Sequence, residues 1–422
     1  MHFSDTYLPR RDGVITSLRT LVAAQRAGGD DPLTVVPRHP DQAGEEGLLR
    51  LRALPCGVAN LRVSPWLLRG AAATGTLDLI SGHGAELVHV HTPGPVGLLG
   101  VLAAQRLGLP LVQTYHTDLH AYVDAYRFPV RALRAGVRLY AHRLDRPRPA
   151  LRCDPVRPGG TPRRVAMDAY NSLLLGEADA VVVPTRAVLD RISLPVPEER
   201  MFLVPTGVAA RPTTPAAVAA FRREHGLSES DRIVLFVGRV NREKGIELLV
   251  RAFARVAQAE PDARLVLVGA IYESRWLLGL LAALPAETAQ RVVLVGEQPG
   301  EVVAAAYAAA EVFAFPSMTD TQALVLQEAA LAGLPAVLVD PVLHRYGPLG
   351  PAGMLADPDP DALASTITGL LRDPGWAHRV GSAAALHAAS HTPARYAVSM
   401  REVYDYATHR AGRLNACGRT RR

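Results

Sequence analysis

Lys244 is the one lysine in a chain of 422 residues that holds 46 lysines and arginines. The skew toward arginine, with abundant Ala, Gly and Pro, has the look of codon bias that replaces lysine wherever arginine serves. The surviving lysine marks a place where a planar guanidinium does not substitute for a compact ammonium on a flexible stem. It lies in Gly238-Arg-Val-Asn-Arg-Glu-Lys244-Gly245, after the apolar run 233–237 and before the amphipathic stretch Ile246–Ala259. A strand, a turn holding Arg239 and Lys244, and a helix start with unfilled N–H groups together suit an anion, and two cations suit a diphosphate. An exposed turn with incidental charges is the plainer alternative. A Schiff-base lysine is a sharper rival, but the neighbouring arginine favours phosphate.

A second constellation is Pro316-Ser-Met-Thr-Asp320-Thr-Gln-Ala-Leu-Val-Leu-Gln-Glu328-Ala. Asp320 falls in a loop at the carboxyl end of a strand, and Glu328 one to two turns into the next helix. Two carboxylates that accept hydroxyl hydrogens, with helix-start amides that donate, suit a sugar. An N-capping Thr or Asp beside a solvated Glu is the plainer alternative. His89 and His91 share one face of a strand, with His116 and His120 nearby in sequence. A metal needs three or four convergent ligands with a second shell, so these read as pocket or structural histidines. Asp357-Pro-Asp359-Pro-Asp361 reads as the capped start of a helix over 362–372 rather than a cation site. No convincing D-x-D motif follows a strand. The expectation is therefore no metal and no cofactor, with charge neutralised by Arg and Lys.

These residues need elements to hold them. Apolar runs at 33–37, 87–91, 111–115, 180–184 and 202–205, then at 233–237, 265–268, 292–295, 312–315 and 336–339, alternate with helical patterns. That alternation predicts parallel sheets with helices on both faces. The break near 206–231 divides the chain into domains 1–206 and 207–392, and two doubly wound domains place ligands at the carboxyl ends of their strands. A last helix, 393–412, follows the second sheet and is expected to pack back on the first domain, leaving a basic tail at 413–422. His2-Phe3-Ser4-Asp5 reads as the end of a first strand whose beginning is absent. Residues 145–164, with five prolines and six arginines, read as a mobile basic loop.

Bulk properties narrow the class. The chain is 49% hydrophobic and 20% charged, with net charge +6, which suits a soluble globular protein with an anionic substrate. Cys56, Cys153 and Cys417 are scattered and form no CxxC, so a reducing cytoplasm is expected. The apolar window 96–112 is interrupted by Gln105, Arg106 and Pro110 and reads as helix then strand, not a membrane span. Over 121–146, Arg131, Arg134, Arg138 and His142 share a helical face opposite Val130, Leu133, Val137 and Leu144. A basic amphipathic helix can rest on an anionic membrane; a core-packed helix with a solvated face is the plainer reading.

GRVNREKG followed by TDTQALVLQEAALAGLPAV resembles the retaining glycosyltransferases of family 4. SDTYLPRRDGV resembles the family's first loop, VHVHTPGPVGLLG its third strand and helix, and TYHTD its central pocket motif. The resemblance runs in order from residue 1 to about 390. It implies the GT-B fold, two Rossmann-like α/β domains facing across a cleft, and transfer of a hexosyl group from a nucleotide-diphosphate sugar to an acceptor hydroxyl. It implies that Gly13 lets the first loop approach the donor diphosphate and that Arg239 and Lys244 neutralise it. Glu328 would bind ribose hydroxyls, Asp320 and the backbone of Gln322, Ala323 and Leu324 the donor sugar. His116 would sit near the reacting carbon. With no evident protein nucleophile, it further implies same-face attack with the leaving phosphate taking the acceptor proton. Two departures stand out: Asp320 where the family usually has glutamate, and Ala323 where it usually has glycine.

The acceptor is expected to be read by Asp118, His120 and the 145–164 loop, and to be a lipid, with peripheral contact at the inner membrane face, or a sugar or secondary metabolite. The same fold serves nucleotide-sugar epimerases and phosphorylases, and a non-catalytic sugar-nucleotide binder also stays open. Nucleic-acid binding would need stacking aromatics, and no cluster of them is present.

Overall fold

The structure is a computed structural model, described here for residues 1–56, 61–125, 128–149, 151 and 161–416. It divides into two compact units, Met1–Gly207 with Pro393–Arg422, and Val208–Thr392. The first unit holds strands β1 (His2–Phe3), β2 (Thr34–Pro37), β3 (Leu48–Leu51), β6 (Val88–Val90), β7 (Leu111–Thr114), β8 (Ala180–Val183) and β9 (Met201–Leu203). A small antiparallel pair, β4 (Leu54–Pro55) and β5 (Arg62–Val63), lies apart. The second unit holds β10 (Arg232–Val237), β11 (Ala263–Val268), β12 (Val292–Gly296), β13 (Val312–Phe315), β14 (Ala336–Leu338) and β15 (Met354–Leu355).

Each unit builds one parallel sheet. The orders are β3-β2-β1-β6-β7-β8-β9 and β12-β11-β10-β13-β14-β15. Both begin near the middle, grow to one side, then cross to the other, which is the doubly wound order. The inner strands are continuous apolar runs because helices cover both faces: Ile233, Val234, Leu235 and Phe236 are all fully buried. Besides the small pair β4 and β5, the strands the apolar-run reading misses are β3 and β15. They lie at sheet edges and are short, and their partly exposed residues give no continuous run. β1 is only two residues long yet pairs on both sides, His2 with Thr34 and with His89.

The helix Pro393–Ala416 returns to the first unit, against the helix Gly13–Ala27 and strands β7 and β8. Tyr396, Met400, Val403 and Ala407 form a stripe at helical spacing over Leu21, Val112 and Val182. Ser17 Oγ joins it to the body, 2.9 Å from both Tyr396 Oη and Thr206 Oγ1. The reading of 145–164 as loop is corrected at its end. Thr161 accepts a bond from the Arg164 amide at 3.3 Å and starts the helix Pro162–Leu175, because a Thr-Pro pair is a good cap and first residue. Residues 150 and 152–160 lie outside the described residues, as do Cys153 and Cys417. The helix Val130–Arg143 buries Val137, Tyr140 and Ala141 against the helix Pro162–Leu175 and turns Arg131, Arg138 and His142 outward. Asp359 caps the helix Pro360–Arg372 through the amides of Asp361 and Ala362, at 2.8 and 3.1 Å.

His2 on β1, His89 on β6 and His91 just after it form a buried stack with ring centroids 4.0–5.5 Å apart. Burial pulls His2 down to about 3 and holds His89 and His91 well below the ordinary histidine value. Burial likewise pulls His116 down to about 4, with Asp12 opposing. Above pH 6.5 these rings are neutral folded or unfolded and contribute no pH dependence. Below it the unfolded chain takes up protons that the folded state refuses, so stability falls as pH drops toward 4. Urea midpoints should therefore decline steadily between about pH 7 and pH 5; a flat profile would count against neutral burial of this cluster.

Candidate functional site

In the second sheet, strand order reverses between β10 and β13, which pair in parallel through Val234–Val312 and Leu235–Phe313. Loops leaving two such strands diverge and open a crevice. The 238–245 turn follows β10 and the 316–323 loop follows β13. Gly245 has φ 72°, and a side chain there would run into the Pro316 carbonyl, so only glycine lets the turn lie this close. As a result Lys244 Nζ comes 2.8 Å from Asp320 Oδ1, 76 residues on.

Glu243 joins the two cations. Its Oε1 lies 3.3 Å from Lys244 Nζ and its Oε2 3.0 Å from Arg239 Nη2. Thr319 Oγ1 donates to Glu243 Oε1 at 2.9 Å, and Ser317 Oγ donates to Asp320 Oδ2. Burial by itself would raise both carboxyls. The charges of Lys244 and Arg239 outweigh it for Glu243. Lys244, the Ser317 hydroxyl and Arg239 outweigh it for Asp320. Both are therefore held below their ordinary values and stay ionised at pH 7. Two cations and two carboxylates balance, which is how four charges remain in a largely desolvated place. Lys244 donates one ammonium hydrogen to Asp320 and pairs with Glu243 by charge.

The helix Leu324–Leu331 starts without a side-chain cap, and Ala323 stands at its N-cap in a left-handed conformation, φ 56° and ψ 72°. Asp320 is thus a partner of Lys244 rather than the cap of this helix. Gln322 and Ala323 are buried and Leu324 half-buried. Glu328, further along, accepts from Tyr307 Oη at 3.1 Å. Burial pushes its carboxyl up, with Tyr307 and Arg211 opposing. Uncapped N–H groups beside carboxylate acceptors can receive an anion and hydroxyls together.

In the first unit, Gly13 opens the helix Gly13–Ala27 at an exposed position, behind Asp12, whose Oδ1 accepts from the Ile15 amide at 3.0 Å. Arg10 Nε holds the other oxygen at 2.8 Å. His116, half-buried after β7, places Nε2 3.1 Å from His91 Nδ1. Asp118 caps the helix Leu119–Ala125 through the Ala121 amide at 3.0 Å. His120 Nε2 meets Asp168 Oδ1 at 2.8 Å. Asp118 and His120 are thus tied into helix packing.

The sequence reading missed four residues. Glu243 lies within the Arg239–Lys244 motif, four residues after Arg239, and that spacing was its signal. Asp5 accepts from the amides of Val96 and Gly97, at 2.8 and 3.2 Å, and from Thr92 Oγ1 at 2.8 Å. It caps the helix Pro95–Leu107 from the end of a different strand, so no local pattern showed it. Tyr307 and Arg211 reach Glu328 from distant positions and left no local signal either.

Two family descriptions match: "Glycosyl transferase 4-like domain" over residues 12–207 and "Glycosyl transferases group 1" over 231–373. A GDP-mannose-dependent alpha-mannosyltransferase of Mycobacterium tuberculosis is 27% identical over 381 residues, 86% of each chain. A D-inositol 3-phosphate glycosyltransferase of Thermobispora bispora is 30% identical over 344 residues, 76% of this chain and 71% of that one. Among solved structures, sucrose-phosphate synthase from Thermosynechococcus elongatus superposes with a TM-score of 0.66 at 22% identity, covering 93% of both chains. With both halves of the motif set matched in order and each half folded as a doubly wound sheet, this chain belongs to the family 4 glycosyltransferases of GT-B fold.

Proposed function

We propose that the chain moves a hexosyl group from a nucleotide-diphosphate sugar to an acceptor hydroxyl with retention, without a metal or other cofactor, and that Lys244 and Arg239 hold the donor diphosphate. The observation that carries this reading is the Lys244–Asp320 pair beside Arg239, next to a helix start with no side-chain cap. In the resting site Asp320 keeps the ammonium in place. An arriving diphosphate competes for Lys244, and Asp320 is released to accept hydroxyl hydrogens of the sugar. Glu328 takes the ribose hydroxyls, with Tyr307 orienting it. The names of the relatives, one using GDP-mannose and one acting on an inositol phosphate, support a nucleotide-sugar donor and a hydroxyl acceptor.

In the reaction the bond from the anomeric carbon to the β-phosphate oxygen breaks and a bond to the acceptor oxygen forms on the same face. The acceptor proton passes to the leaving phosphate, so the products are glycoside and nucleoside diphosphate. The protein supplies position and charge stabilisation as the phosphate leaves. Gly13 and His116 take their donor-side roles, and Asp118 and His120 their acceptor-side roles, from the family resemblance. The acceptor is a lipid or a small molecule. A lipid acceptor would be met at the cytoplasmic membrane face, with Arg131, Arg138 and His142 resting on anionic headgroups. No helix among the described residues is long and apolar enough to cross a membrane.

Slow donor hydrolysis across a panel of nucleotide sugars will name the donor. With that donor, Lys244→Ala should lose about 10²–10³ in kcat while remaining folded; near-normal turnover would remove Lys244 from the site. Lys244→Arg should not restore it, because the planar fork does not fit between Glu243 and Asp320. Ala323→Gly relieves a left-handed alanine and should raise stability by about 1 kcal/mol, with donor KM unchanged or lower; a lower unfolding midpoint would contradict that backbone reading.

A further inference from the structure

The cation whose charge acts on Glu328 is Arg211, which joins the Tyr307 hydroxyl in opposing the effect of burial. Arg211 lies in the segment before the helix Pro215–Glu224. Its guanidinium rests on Gly300, where any side chain would run into Nη1 and Cζ. Gly300 opens the helix Gly300–Ala309, which follows β12 and carries Tyr307. β10, β11, β12 and β13 are all parallel. The start of that helix therefore lies at the same end of the sheet as the turn holding Lys244 and the loop holding Asp320. Arg211 is exposed there. It makes no hydrogen bond or ion pair with the described residues, so the N–H groups of its fork are uncommitted.

In the proposed function Lys244 and Arg239 take the diphosphate and Glu328 takes the ribose. The rest of a nucleotide is its base, joined to the ribose that Glu328 holds. Seven residues of helix, a rise of about 10 Å, separate Gly300 from Tyr307. The group that meets Arg211 must therefore extend well beyond the ribose, and a purine extends further than a pyrimidine. Guanine carries two neighbouring acceptors, O6 and N7, which an arginine grips with two hydrogen bonds. Adenine puts an amino donor beside N7, which faces the fork with like hydrogens. A lysine in this place would offer a point charge, whereas arginine offers a planar fork.

We propose that Arg211 is a specificity-determining residue of the donor site that reads the O6–N7 edge of guanine, so that the donor is a guanosine-diphosphate sugar. This rests on the reading of the chain as a nucleotide-sugar transferase. Gly300 serves the same end by leaving the guanidinium room against the backbone.

The test is calorimetric binding of GDP, UDP and ADP to the full chain. The parent protein should bind GDP about tenfold or more tightly than UDP or ADP. Arg211→Gln should weaken GDP by about ten- to a hundredfold and leave UDP and ADP within about twofold; unchanged UDP binding also shows that the variant is folded. Arg211→Lys should not restore GDP binding, because the fork is missing. 7-Deazaguanosine diphosphate, which lacks the N7 acceptor, should bind the parent more weakly than GDP and lose less on Arg211→Gln. Tighter binding of UDP than of GDP, an equal loss of all three nucleotides in Arg211→Gln, or full-strength binding of the 7-deaza compound would each overturn the guanine assignment and leave the transfer reading standing. The transfer reading fails separately. Lys244→Ala should weaken all three nucleotides alike, and unchanged binding in that variant would take the diphosphate away from Lys244.

Discussion

A buried ammonium cannot be left alone. Removing one partner of a buried ion pair costs about 3–5 kcal/mol, because the other charge stays behind without compensation. The carboxylates on Lys244 come from its neighbour Glu243 and from Asp320, 76 residues on. The 238–245 turn and the 316–323 loop must therefore fold against each other. That requires β10 beside β13, the junction where the second sheet reverses strand order, and it requires a residue without a side chain at 245. The positions of Arg239, Thr319 and Ser317 follow from the same constraint, since each bonds a carboxylate that the ammonium needs.

The first unit meets the corresponding junction differently. Between β1 and β6 it places Asp5 on the start of the helix Pro95–Leu107 and a stack of histidines beneath. Asp5 is pushed up by burial, with three amides and a hydroxyl opposing. The rings have no counter-charge and give up their protons instead. Desolvation acts on both junctions alike: charge survives where each cation has a carboxylate, and is lost where only neutral partners are within reach.

Ala323 shows a cost carried at a functional place. A left-handed alanine is less stable than glycine by about 1–2 kcal/mol, yet the helix start it precedes has no side-chain cap to offset that. The backbone turn is held by its surroundings, with Ala323 buried and Gln322 buried beside it. Sites for binding commonly hold such backbone in place through the packing around them.

Much was legible from order and period. Apolar runs marked the inner strands because parallel strands are covered on both faces, and the helix Ile246–Ala259 was visible to its ends. The edge strands β9 and β12 were legible too, whereas β3 and β15 were not, since their short, partly exposed segments carry no run. Asp359 as a cap was legible because a cap acts within three residues; Asp5 as a cap was not, because it reaches from another strand. The sequence by itself determined that Arg239, Lys244, Asp320 and Glu328 follow strands at the ends where ligands bind. It also singled out the one lysine of the chain. Only the tertiary structure decided that Glu243 stands between the cations and that Tyr307 and Arg211 reach Glu328. Those contacts join residues that are far apart in the chain, and strand order, not local spacing, brings such residues together.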